Sequence, residues 1–235
     1  MKKTAQHSHS LAAVVLITVV LFFSSAEAQV QDWYVHSTIS NITSIAIDGA
    51  GTKWIGTGGA GIASYDGTTW TVWNKLNSGL PENRVRGIAI QPDGVKWIAT
   101  QFGLSKFDGT NWTTYNTMNS LLPSNYIQCL ASESNTLNWF GTAGSGLVKY
   151  DGTNWTTYTK FNSGLPDNII NCIEIDTSGN KWVGTNGGLA KYDGSTWSVY
   201  NSTNSTLPEN NIASIAFDAG GIIWVGTLAS GVVKF

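Results

Sequence analysis

Five tryptophans constrain what this chain can become. Trp54, Trp97, Trp139, Trp182 and Trp224 each stand in a Trp-x-(Gly/Ala)-Thr unit, and a second series runs Trp70, Trp112, Trp155, Trp197. From the second tryptophan of one unit to the first of the next is always 27 residues; within a unit the two are alternately 16 and 15 apart. Self-similarity at this period marks a repeat architecture, in which each unit buries its apolar face against its neighbour.

The fourth unit shows the grammar. Asn168–Ile175 alternates polar and apolar residues as a half-buried strand does, and Asp176–Gly179 is a turn. Lys181–Thr185, Gly188–Tyr192 and Ser195–Asn201 follow as strands, separated by Asn186-Gly187 and by Asp193-Gly194, a hairpin signal. Four short antiparallel strands per unit of about 42 residues predict an all-β, five-bladed β-propeller. The last unit ends at Phe235 without a fourth strand, whereas Asp32-Trp33 near the N-terminus aligns with the second tryptophan series. The N-terminal strand is therefore expected to close the last blade; the rival reading is a fragment of a longer propeller. The 16/15 alternation is most simply placed in the loop from second to third strand.

Residues 1–28 read as a signal peptide: Lys2 and Lys3, an apolar run from Leu11 to Phe23, then Ala26-Glu27-Ala28. An uncleaved anchor is the alternative. Cleavage leaves residues 29–235 as the propeller and implies a secreted or periplasmic location, not a membrane-embedded one. The remaining 11 basic and 14 acidic side chains form no basic cluster, which argues against nucleic acid.

The first strands carry small residues on one face (Ser44, Gly87, Cys129, Cys172, Ser214) that can receive bulky ones from the next blade. Cys129 and Cys172 occupy equivalent positions in adjacent blades, too far apart for a disulfide, and are expected as buried free thiols. Glu174 stands where the other blades have alanine, and Ser132 replaces an apolar residue of the preceding blade. Either the two form a structural polar pair across the interface, or Glu174 reaches a solvated central channel.

No catalytic residue, metal site or cofactor is expected. His36 is the one histidine after residue 28, which leaves no imidazole clusters or triads. Most carboxylates are turn punctuation: Asp48, Asp93, Asp176 and Asp218 follow the first strand, and Asp66, Asp108, Asp151 and Asp193 make hairpin turns. Gly56–Gly61 matches G-x-G-x-x-G but joins strand to strand, where a dinucleotide motif must open a helix.

Residues 207–227, with Leu-Pro-Glu-Asn, an Asp-x-x-Gly turn and Trp-Val-Gly-Thr, resemble the two-component regulator propeller repeat. The resemblance implies a sensor-like propeller, often for glycan-derived ligands; no kinase or regulator segment accompanies it here. The leading expectation is a monomeric, non-catalytic propeller binding a small molecule or glycan. Its ligand would sit at one mouth of the channel, with Arg86, Gln128 and Asn171 on inner strands and Gln101, Phe102 and Asn186 in adjacent loops as candidates. The alternatives are a protein-interaction scaffold of the cell envelope and, less favoured, a polysaccharide lyase or hydrolase.

Overall fold

The computed structural model describes residues 41–235. The expected signal peptide and the N-terminal strand expected to close the last blade lie outside the described residues. Among the described residues nineteen strands form five antiparallel sheets, and the chain is an all-β, five-bladed propeller. Blade 1 comprises β1 (Ile42–Ile47), β2 (Lys53–Thr57), β3 (Ile62–Tyr65) and β4 (Trp70–Trp73). Blade 2 comprises β5 (Val85–Ile90), β6 (Lys96–Thr100), β7 (Gly103–Phe107) and β8 (Trp112–Tyr115). Blade 3 has β9 (Ile127–Ser132), β10 (Asn138–Thr142), β11 (Leu147–Tyr150) and β12 (Trp155–Tyr158). Blade 4 has β13 (Ile170–Ile175), β14 (Lys181–Thr185), β15 (Gly188–Tyr192) and β16 (Trp197–Tyr200). Blade 5 has three strands among the described residues, β17 (Ile212–Phe217), β18 (Ile223–Thr227) and β19 (Val232–Lys234). Strands pair in chain order within each blade, and the first strands of successive blades are neighbours.

The Trp-x-(Gly/Ala)-Thr unit is explained residue by residue. The tryptophan is buried at Trp54, Trp97, Trp139 and Trp182 and stacks on the aromatic residue ending its own fourth strand, as Trp54 does on Trp73 at 5.2 Å. Its indole N–H donates to a carboxylate just past the first strand: Trp54 to Asp48 (2.9 Å), Trp139 to Glu133 (2.8 Å), Trp182 to Asp176 (3.0 Å). Blade 2 departs from the expected Asp93. Gln91 holds that place, its Nε2 donates to Asn138 (3.0 Å), and buried Trp97 Nε1 has no partner among the described residues.

The third position faces the small residue of the first strand. Ser44 pairs with Gly56, Cys129 with Gly141, Cys172 with Gly184 and Ser214 with Gly226; in blade 2 the sizes are exchanged, Gly87 pairing with Ala99. In blades 1 to 4 one partner of each pair must be glycine, because the next blade's inner strand packs directly on top: a Cβ on Gly56, Gly87, Gly141 or Gly184 would run into Val85, Leu130, Ile170 or Ile212. The threonine hydroxyl closes the following loop, Thr57, Thr100, Thr142, Thr185 and Thr227 each donating to the carbonyl that ends it, at 2.7–2.9 Å. That loop is also where the one-residue alternation falls. Between the threonine and the glycine that closes the loop stand three residues in blades 1, 3 and 5 (58–60, 143–145 and 228–230), against two (101–102 and 186–187) in blades 2 and 4.

The second tryptophan series stacks on the aromatic ending the third strand, with ring centroids 4.3–4.8 Å apart in blades 1 to 4. Between blades lie four apolar clusters, each built from the tryptophan side of one blade and the inner-strand aliphatics of the next. In the first, Trp54 and Ile62 meet Val85, Ile88, Ile98 and Phe107. These seams are the core. Both cysteines are free, packed at the third and fourth seams as their repeat positions imply.

Candidate functional site

At one end of the blades, second-to-third-strand loops meet the segments that lead into the inner strands. Gly58 bridges Arg84, Ala143 bridges Ile169, and Gly146 N donates to Asn168 O (2.9 Å). The repeated asparagine after Leu-Pro-x holds this architecture together. Asn83, Asn125, Asn168 and Asn210 each accept from a backbone N–H eight residues earlier, at 2.8 Å. Side chains free of such framework duty are therefore presented at this mouth by rigid elements.

Of the six expected ligand residues, two prove to be structural latches. Gln128 Nε2 donates to Ile170 O (3.1 Å) and Asn171 Nδ2 to Ile212 O (2.9 Å), each stitching one inner strand to the next. Thr43 Oγ1 makes the same bond to Val85 O (2.8 Å), so the position is a seam donor in three of the four interfaces. Asn186 joins this polar line, accepting from Asn171 Nδ2 at 2.9 Å, with Asn211 Oδ1 at 3.2 Å from the same nitrogen.

Arg86 breaks the pattern. Instead of the next strand's carbonyl, its guanidinium donates to the Tyr126 hydroxyl and lies over the Tyr126 ring, 5.1 Å from its centroid. Gln101 Nε2 donates to the same hydroxyl (3.1 Å), while Phe102 beside it is 59% exposed. Arg86 Nε is buried with no partner among the described residues. Arg86, Gln101 and Phe102 are thus brought together, and Tyr126 is the member that sequence reasoning missed. It was signalled only by its variation at a position that reads Arg84, Ile169 and Asn211 elsewhere. The group offers a fixed cation, an amide, a phenol and an open aromatic face, a set suited to recognising polar ligands.

The expected Ser132–Glu174 pair does not form. Ser132 Oγ donates to Asn138 Oδ1 (2.8 Å) within its own blade, because the two residues point to opposite sides of their strands. Glu174 is instead solvent-exposed on β13, though the blade walls around it push its carboxyl above the usual range. Burial likewise raises the Cys172 thiol to about 12 and the Cys129 thiol well above its ordinary value. A separate cavity of about 400 Å³ lies between the first turns of blades 4 and 5, lined by Asp176, Ser178, Phe217 and Asp218 among others.

These features define a five-bladed propeller with a polar and aromatic mouth. Residues 206–229 match the family described as Two component regulator propeller. Among solved structures, the chain is similar to the extracellular domain of a hybrid two-component system from B. thetaiotaomicron. The identity is 21% and the TM-score 0.70, over 89% of this chain and 29% of that one. It is also similar to PorZ, a surface component of the type-IX secretion system of Porphyromonas gingivalis, at 22% identity and TM-score 0.63, over 83% of this chain and 32% of that one. A third likeness is to a catalytically inactive virginiamycin B lyase from Staphylococcus aureus with quinupristin. There the identity is 14% and the TM-score 0.67, over 87% and 73% of the two chains. At these identities the likeness shows the fold. The chain spans less than a third of the length of the two sensor and secretion relatives. No curated protein sequence matches the chain.

Proposed function

We propose that this chain is a non-catalytic, ligand-binding propeller of the secreted or periplasmic space, taking a small polar molecule or glycan at the Arg86 mouth. The observation that carries the reading is the constellation of Arg86, Gln101 and Tyr126 beside exposed Phe102. Among the described residues it is the one place at this mouth where the repeated seam bond is given up for a side-chain cluster. Giving up a structural bond at one seam out of four is what a functional demand would do. The groups assembled are recognition groups: a guanidinium, an amide and a phenol. A sensing role is supported by the repeat match and by the likeness to extracellular domains of two-component systems. No helix among the described residues is long and apolar enough to cross a membrane.

A glycan array, followed by calorimetry on any hit, tests the reading. Binding should fall at least about tenfold in Arg86→Ala, the loss of one charged hydrogen-bonding partner, and persist in Thr68→Ala, far from the mouth. Glycan binding unaffected by Arg86→Ala would sink the assignment of the site. No ligand from a broad panel, together with capture of a specific protein through Phe102, would favour the scaffold alternative.

A further inference from the structure

The two end blades leave complementary faces open. At every internal seam the leading face of one blade is covered by the trailing face of the previous one. Ile88, Ile173 and Ile215 are accordingly 9%, 5% and 6% exposed, yet their counterpart in blade 1, Ile45, is 62% exposed. Ile42 is 44% exposed, while Val85, Ile127, Ile170 and Ile212 are fully buried. On the opposite face of the array, Trp224 is 42% exposed against at most 5% for the other four framework tryptophans. Val232 is 69% exposed where Ile62, Leu104, Leu147 and Leu189 are buried. The two open faces belong to the same chain, and neither covers the other.

Their polar groups match as well. Two internal seams carry an ion pair at one position, Asp48 with Lys96 (3.6 Å) and Glu133 with Lys181 (3.4 Å), and a third carries Gln91 with Asn138. Both lysines also lie over the framework tryptophan of the preceding blade, Lys96 over Trp54 at 4.5 Å and Lys181 over Trp139 at 5.2 Å. At the open ends the same positions are Asp218 in blade 5 and Lys53 in blade 1, of opposite charge and both exposed. Ser44 Oγ, which accepts from Ile88 N at 3.1 Å in the first seam, recurs as Ser214 in blade 5, opposite the position of Ile45.

From this complementarity we infer that the chain self-associates head to tail, the trailing face of blade 5 of one copy receiving the leading face of blade 1 of a second copy. The contact repeats the seam already made four times within the chain: Lys53 on Asp218 and Trp224, and Ile42 and Ile45 on Trp224 and Val232. Such a heterologous contact closes into a ring if the rotation permits and otherwise continues as a chain of copies.

Sedimentation velocity on the purified chain across a concentration series tests this. The weight-average mass should rise about twofold or more, and Ile45→Asp or Val232→Asp, each at an exposed position that leaves folding intact, should each abolish the rise. The two variants each spoil a different face, so their equimolar mixture should regain a dimer that neither forms alone. A monomer at all concentrations, including one closed on itself with Trp224 shielded from quenchers, would overturn the inference. So would self-association that survives both substitutions, or variants that do not rescue one another.

Discussion

A methyl group placed on Gly141 would lie 2.4 Å from Cys129 Sγ and 2.6 Å from Ile170 Cγ2, inside contact distance on two sides. Gly141→Ala is therefore expected to cost about 1–3 kcal/mol, the usual range for overpacking. Blade 2 already contains the remedy, Ala99 facing Gly87. Gly141→Ala combined with Cys129→Gly should accordingly recover part of the loss, as read by a urea-denaturation double-mutant cycle. At this scale the sequence was legible wherever a residue serves its own unit. The tryptophans, the threonine and the hairpin aspartates all bond within a few residues. Gln128 and Asn171 read as free variation because their partners, Ile170 and Ile212, lie 42 and 41 residues away. Only the folded seam reveals them as latches. Tyr126 was invisible for a similar reason, since its hydroxyl gathers Arg86 and Gln101 from the preceding blade.

Strands and turns were legible because alternation and turn chemistry are local. The loop-length alternation followed from tryptophan spacing alone, and so did the position of both cysteines on their strands. What escaped was the side of the strand on which a partner lies. Ser132 and Glu174 sit at adjacent rather than equivalent positions of the repeat, so Ser132 met Asn138 of its own sheet. The thiols carry the element-scale prediction. Burial raises both, Cys172 to about 12, and the nearby Glu174 carboxylate raises them further. With so little thiolate at neutral pH, neither should react with a thiol-specific disulfide reagent in the native state, and two equivalents should react once urea unfolds the chain. Fast labelling of the native protein would contradict the packing at the third and fourth seams.

Across the whole molecule, the carboxylates set the response to acid. Backbone N–H groups donating to Asp66, Asp108, Asp151 and Asp193 hold them below the usual range. At Asp48 and Asp176 burial acts in the opposite direction, and the indole and amide donors outweigh it. Folded values below the unfolded value of 3.8 mean stability that is present above that pH and is lost as the pH falls through the folded values. Glu174 runs the other way: its raised carboxyl costs stability above 4.5, and the cost vanishes on protonation. Urea midpoints measured against pH should hence be flat near neutrality and fall below about pH 4, while Glu174→Gln should raise the neutral plateau. A Glu174→Gln protein less stable at pH 7 would contradict the sign.

Among the described residues the seams run between successive blades, so the array behaves as a row of coupled units rather than a single indivisible core. Blade 3 is clamped on both sides; blades 1 and 5 are each clamped on one. Opening then begins as fraying at the two ends and reaches the middle last, in the manner of a zipper. A second copy seated on those two blades covers the faces from which the zipper starts. Dilution, which strips that copy away, would loosen blades 1 and 5 while leaving the Arg86 mouth between blades 2 and 3 intact.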